Sequence, residues 1–282
     1  MNALRAIKWP YAVIALLAVA AAAFGLLHPA AASSSAQKKP GATTLIRQNP
    51  PPTLFTDAEI ATIGKQAADQ RTEADALFAQ WKKAHGTTRD DKAFAAWAAQ
   101  QLPPPPSATQ RTAELHQVQA LAKTRTAAGK KAATWLELYG KKDVWKLYLH
   151  DQRELISTAQ GTAEKAELKS ALKLAKTISD QLAAKHKQPA PFVLDPTLRP
   201  EKHIKPGAKG PYSYPSRHAA RSAAAVTILN ALSPHRADDY QWMRAEVLYS
   251  RLYMAGHLPS DLTAGTLIGD LTGDYELAVT GQ

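Results

Sequence analysis

The chain has no cysteine, which rules out disulfide staples, a thiol nucleophile and thiolate metal ligation together. Runs of valine, isoleucine, threonine and aromatics are scarce, and aromatic residues make up only 7% of the composition, so little in the chain favours a sheet. Alanine, leucine and lysine are abundant instead, and they are strong helix formers. An all-α protein is expected. There is no GxGxxG fingerprint, no Walker loop and no HExxH zinc motif, so dinucleotide, P-loop and zincin chemistry have no sequence support. No internal repeat is evident.

Negative charge is missing from the first 40 residues, which hold Arg5, Lys8, Lys38 and Lys39 around one uncharged apolar run, Tyr11 to Leu27. A basic start, an apolar stretch and the small residues of "HPAAASS" (28–34) fit a signal peptide cleaved near Ala32, with an uncleaved N-terminal anchor as the alternative. Residues 1–32 are therefore read as signal peptide or anchor. The rest is expected to be exported, periplasmic or secreted, touching a membrane only through this segment if it stays uncleaved.

Without those 40 residues the chain carries 31 basic and 24 acidic side chains, about +7 formally. The excess is spread along helical patterns rather than gathered in a block. It suits anionic small molecules or envelope surfaces, and no nucleic-acid partner is expected.

Residues 33–54, rich in Ser, Ala, Gly, Thr and Pro, read as a flexible linker, and residues 55–282 as one all-α domain, a length that buries a full core. Thr56 and Glu59 fit a capping box, "DDKAFAAWAAQQL" gives a short helix, and "PPPP" (103–106) breaks the chain. A single long helix is expected from Thr109 to about Gly140. After two more helices, residues 187–212 form a long Pro, Gly and Lys loop, a type of segment that is usually functional. Helices follow at 217–232, up to Gly256, and after His257.

Two short stretches concentrate the chemistry. In "SRLYMAGHLPSDLTAG" (250–265), Arg251 offers a planar fork for an oxyanion and Gly256 lets the chain turn. Asp261, one turn beyond His257, is placed to accept one imidazole N–H and leave the other nitrogen free. In "SYPSRHAARSAA" (213–224), Ser216 opens a helix whose unpaired N–H groups attract an anion, and His218 stands at the same end as a proton donor.

Together these stretches resemble the phosphatidic acid phosphatase type 2 superfamily, and within it the bacterial class A non-specific acid phosphatases, which share the vanadium haloperoxidase-type helical-bundle fold. "SYPSRHA" is similar to the family's SYPSGHA and "SRLYMAGHLPSDLTAG" to its SRxxxGxHxPSDxxAG, with the resemblance covering about residues 184–270. It implies a phosphatase of phosphate monoesters acting through a covalent phosphohistidine without metal. His257 would be the nucleophile, Asp261 its orienter and His218 the acid for the leaving alcohol. Ser216, Arg251 and the Arg217 N–H would hold the phosphoryl oxygens.

The sequence departs from the family pattern in two places. Arg217 replaces a glycine, which is costly only if that position needs a positive φ. The first motif, a lysine, six residues and Arg-Pro, reads here as "AKHKQPAPF", with Lys185 retained on a chain two residues shorter and the phosphate-binding arginine missing. Arg199, or Lys205 and Lys209, would restore that charge from the loop. The implied partner is a small phosphorylated substrate, with no cofactor. Vanadate would be an inhibitor, or the cofactor if the chain were a haloperoxidase. Alternatives are a lipid-phosphate or diphosphate phosphatase and a non-catalytic anion-binding envelope protein.

Overall fold

The computed structural model describes residues 40–152, 156–198 and 212–282. The leader 1–32, residues 33–39 of the linker and the loop cations Arg199, Lys205 and Lys209 lie outside the described residues.

Helices start where short polar side chains take up the free N–H groups of a first turn. Thr56 caps α2 (Asp57–His85) with the full box: its backbone N–H donates to Glu59 Oε2 at 2.8 Å while the Glu59 N–H donates back to Thr56 Oγ1 at 3.4 Å. Asp90 caps α3 (Asp91–Gln101), Ser107 caps α4 (Ala108–Lys123), Thr126 caps α5 (Ala127–Tyr139) and Ser157 caps α7 (Thr158–His186). Between these last two runs α6 (Asp143–Gln152). Ser216 caps α9 (Arg217–Leu232), which follows the short α8 (Pro191–Leu194). The chain ends with α10 (Ala237–Tyr253) and α11 (Pro259–Thr280), where Pro259 fills the first helical position and needs no N–H partner.

No strand occurs among the described residues; Pro189 and Tyr212 make one isolated antiparallel bridge. The fold is all-α. None of the described helices is long and apolar enough to cross a membrane.

Helix α11 is the central element because it is apolar or small on nearly every side, with Leu262, Leu267, Ile268 and Leu271 all buried. It packs against α9, α2 and α7, and α9 is in turn covered by α7 and α10. The α9–α11 contact is unusually close. A Cβ at Gly265 would overlap the Ser216 carbonyl oxygen, and one at Gly269 would overlap that of Ala220, so the two backbones touch where only glycine leaves room. This contact brings the starts of α9 and α11 together.

Two expectations differ from the structure. The long helix expected from Thr109 to Gly140 is two helices, broken at Thr124 to Thr126. The Thr126 N–H donates to the Tyr253 hydroxyl at 2.7 Å and its own side chain caps α5, so a tertiary contact and a local cap together outweigh helical periodicity. Within the segment read as a flexible linker, α1 (Ala42–Gln48) forms and buries Ile46, and Trp135 Nε1 donates to the Asn49 carbonyl at 2.8 Å. Residues Pro40–Gln282 form one compact unit.

Candidate active site

The two chemical stretches meet through the backbone. The Ser216 N–H donates to the Asp261 carbonyl oxygen at 2.8 Å, joining the start of α9 to the first turn of α11. The chain between α10 and α11 turns at Ala255, whose φ of 54° lies in the left-handed region, not at Gly256 as expected. A non-glycine residue there costs about 1 kcal/mol. Gly256 instead lines a cavity of about 480 Å³, together with Arg217, His218, Arg251 and His257.

His257 is 13% exposed in its side chain and directs Nδ1 at the Ser213 carbonyl oxygen, 2.9 Å away. A carbonyl can only accept, so Nδ1 bears the proton and Nε2 keeps its lone pair. Burial, reinforced by Arg251, Arg217 and Arg111, pushes the imidazole down to about 3, against the weaker upward pull of Ser213. The ring is neutral at any ordinary pH.

The expected Asp261–imidazole bond is absent. Asp261 Oδ2 stands 3.9 Å from Nδ1 and accepts the Leu258 N–H at 2.8 Å, while Oδ1 accepts from Arg111 Nη1 at 3.0 Å. Asp261 thus closes the first turn of α11 and acts on His257 only through the backbone. Arg111 also donates to the Pro189 carbonyl (2.9 Å) and to Ser213 Oγ (3.3 Å), so one guanidinium holds both Asp261 and the residue that orients His257. One turn on, Glu114 Oε2 accepts from the Ser260 hydroxyl at 2.6 Å. Helix α4 grips the Pro-Ser-Asp corner from outside.

The second histidine and the arginine complete the pocket. His218 lies 6.3 Å from His257 between ring centroids, and its buried Nε2 has no hydrogen-bond partner, the nearest carboxylate being Glu137 Oε2 at 3.6 Å. Burial first, then His257, Lys141, Arg217 and Arg221, hold His218 well below its ordinary value. Arg251 donates to Ser250 Oγ (3.1 Å) and the Ala133 carbonyl (3.3 Å), and ion-pairs with Glu137. Burial lowers it to about 9, still cationic at neutral pH.

This arrangement pairs a neutral imidazole holding a free lone pair with a buried guanidinium and a second imidazole across one cavity. Residues 170–274 match the PAP2 superfamily. The match supports a phosphatase-type function. A comparison with curated proteins finds no significant match.

Inside the PAP2 segment, the remaining expected residues divide. Arg217 is the first helical residue of α9 with no positive φ, so replacing the family glycine strains nothing and its N–H faces the pocket end of the helix. Its guanidinium pairs with Asp180 at 3.3 Å. Ser216 is fully buried, its hydroxyl accepts the Ala219 N–H at 3.3 Å, and it is not on the cavity wall. It serves as the cap of α9.

Lys185 is a correction. It is exposed and lies at a separate cleft with Asp91 and Lys92, because on α7 its face points away from the histidines. Ala183 and Ala184 of α7 line the cavity instead.

Arg111, Glu114 and Glu137 lie upstream of the PAP2 segment and were not singled out in the sequence. One signal was available for the first two. Positions 111, 114 and 118 repeat at helical spacing along the buried side of α4, so an arginine and a glutamate fall where apolar residues belong. Among the described residues no group of three or more His, Asp or Glu side chains is arranged to hold a metal ion.

Proposed function

We propose that this protein is an exported phosphatase that hydrolyses phosphate monoesters through a phosphohistidine at His257, without a metal. The observation that carries this reading is the His257 imidazole, fixed by Ser213 at Nδ1 and open at Nε2 toward a cavity it shares with Arg251 and His218. Nε2 would attack phosphorus while Arg251 and the first-turn N–H groups of α9 hold the phosphoryl oxygens. A phosphate dianion beside His218 would raise that imidazole from its depressed value and let it protonate the departing oxygen. Water would then hydrolyse the N–P bond. Export rests on the basic and apolar pattern of the leader.

One observation favours a second reading, a protein that binds anions without turnover. Glu137 pairs with Arg251, Lys185 lies at a separate cleft and the first-motif arginine is missing, so the pocket holds little free positive charge.

Phosphate release from p-nitrophenyl phosphate, measured from pH 4 to 8 with EDTA, with orthovanadate and with His257→Ala, separates the two. The catalytic reading expects EDTA-resistant, vanadate-sensitive turnover lost in the variant, and an acid-labile, base-stable phosphoenzyme. Binding of phosphate without release from any ester would favour the second.

A further inference from the structure

The Glu137 carboxylate on α5 stands between the group that would hold the phosphoryl oxygens and the group that would protonate the leaving one. A single oxygen, Oε2, ion-pairs with Arg251 Nη1 and lies 3.6 Å from His218 Nε2. All three residues line the cavity that holds His257. The buried Nε2 has no hydrogen-bond partner, so the oxygen placed to satisfy it is held by the arginine instead.

The surroundings of His218 make this carboxylate hard to replace. Besides burial, the imidazole feels the neighbouring His257 and three cations, Lys141 from the turn after α5 and Arg217 and Arg221 from α9. Each opposes a proton on His218, yet an acid for the leaving oxygen has to carry one. Among the described residues, Glu137 is the carboxylate within ion-pairing reach of it. Asp180, the other carboxylate on the cavity wall, is shared between Lys176 and Arg217.

A phosphoryl group that takes Arg251 has to displace Oε2, because two anions at this range repel. The Glu137 side chain is 28% exposed and has room to turn. A movement of about 1 Å brings Oε2 within hydrogen-bond distance of His218 Nε2.

We propose that Glu137 is a positioning residue that exchanges partners, neutralising Arg251 before phosphate arrives and moving to His218 Nε2 when phosphate takes the arginine. The leaving-group acid is then armed only with substrate in place. This rests on the proposed phosphatase reading for the role of His218. A monoanionic ester delivers its proton to His218, whose Nε2–H donates to Glu137. Nε2 of His257 forms the N–P bond, and the bond from phosphorus to the bridging oxygen breaks with its electron pair on that oxygen. The Nδ1 proton of His218 passes to the same oxygen, which leaves the imidazole neutral. Glu137 stays a carboxylate throughout. It lies upstream of the PAP2 segment, so the exchange joins α5 to the two chemical stretches.

Leaving-group dependence tests this in the full chain. Propyl phosphate releases an alkoxide that needs a proton, whereas p-nitrophenyl phosphate releases a stabilised phenolate. Glu137→Gln should lower kcat/KM for propyl phosphate about 10-fold or more relative to p-nitrophenyl phosphate, because easier entry of phosphate acts on both esters alike. Equal changes on the two esters would overturn the role.

A histidine NMR titration separates the exchange from turnover. With orthovanadate bound, His218 should titrate at a pH about 1 lower, or more, in Glu137→Gln than in wild type. In Arg251→Met without vanadate, Oε2 is released, so His218 should titrate at a higher pH than in wild type, and adding Glu137→Gln should abolish that rise. The two single variants are independent, so if one does not fold the other decides. These shifts in a protein that hydrolyses no ester would keep the exchange while the phosphatase reading falls. A His218 titration unmoved in either folded variant would overturn the exchange whatever the kinetics.

Discussion

The imidazole of His257 donates its Nδ1 proton to the Ser213 carbonyl oxygen at 2.9 Å, and the Asp261 carboxylate lies 3.9 Å from that same nitrogen. A backbone carbonyl does not titrate, so the tautomer is held at every pH where the fold persists. With the imidazole pushed down to about 3, an NMR titration should find His257 neutral with a protonated Nδ1 at pH 5, where an ordinary histidine is mostly charged. The linked stability follows in sign. Between about pH 6.5 and 3 the unfolded chain takes up a proton that the folded site refuses, so His257 contributes a loss of stability as pH falls through that window. A His257 titration near pH 6.5 would contradict this account.

Arg111 holds Asp261 in a buried pair, with side-chain exposures of 7% and 0%. Arg111→Met should leave the Asp261 carboxylate unpaired in the interior and destabilise the protein by about 3 kcal/mol or more. Adding Asp261→Asn to that variant should recover part of the loss, since the uncompensated charge disappears. Denaturant melts of the two single variants and the double variant complete the cycle. Additive losses would show that the pair is not coupled.

Glu137 occupies Arg251 and stands 3.6 Å from His218 Nε2. An incoming anion must displace it. Glu137→Gln should therefore tighten inhibition by orthovanadate by about 10-fold, through loss of one competing charge. Unchanged or weakened inhibition would mean that the carboxylate leaves the pocket at no cost or assists binding.

Gly265 lies against the Ser216 carbonyl, on the turn that Ser216 and Asp261 join. Gly265→Ala should force the starts of α9 and α11 apart. The expected result is a loss of a few kcal/mol in stability and a larger fall in activity than in stability at permissive temperature, because His257 and His218 sit on either side of this contact. Wild-type kinetics from a folded Gly265→Ala protein would show that the close approach does not govern the site.

Glu246 is fully buried, accepts the Phe55 N–H at 3.3 Å through Oε2, and has no partner for Oε1. Burial pushes its carboxyl up to about 8. From about pH 4.5 to 8 the unfolded chain ionises this group while the folded chain does not, so stability falls as pH rises. Glu246→Gln should match wild type near pH 5 and exceed it by about 3 °C or more in Tm at pH 8. Parallel melting curves at both pH values would remove Glu246 from the pH response.

Several helices were legible because their starts are local chemistry: Thr56 with Glu59, and Ser216, each satisfy free N–H groups within a few residues. The break at Thr124–Thr126 was not, since it depends on Tyr253, more than a hundred residues away. The same division runs through the site. The spacing of the two stretches anticipated that His257, His218 and Arg251 meet at one cavity, whereas Lys185 lies at a separate cleft because one step along α7 turns a side chain to another face of the helix.

By itself the sequence determined an all-α chain without thiol chemistry, the positions where helices begin, and the two stretches that bring imidazoles and a guanidinium. Only tertiary structure decided which atom orients His257, that Arg111 and Glu114 hold the Asp261 corner, and that Glu137 faces Arg251. Caps and periodicity act within a turn or two, and so they are written locally. Hydrogen bonds between α4, the 212–216 segment and α11 join residues far apart in the chain, and their partners are set by how glycine lets α9 and α11 touch.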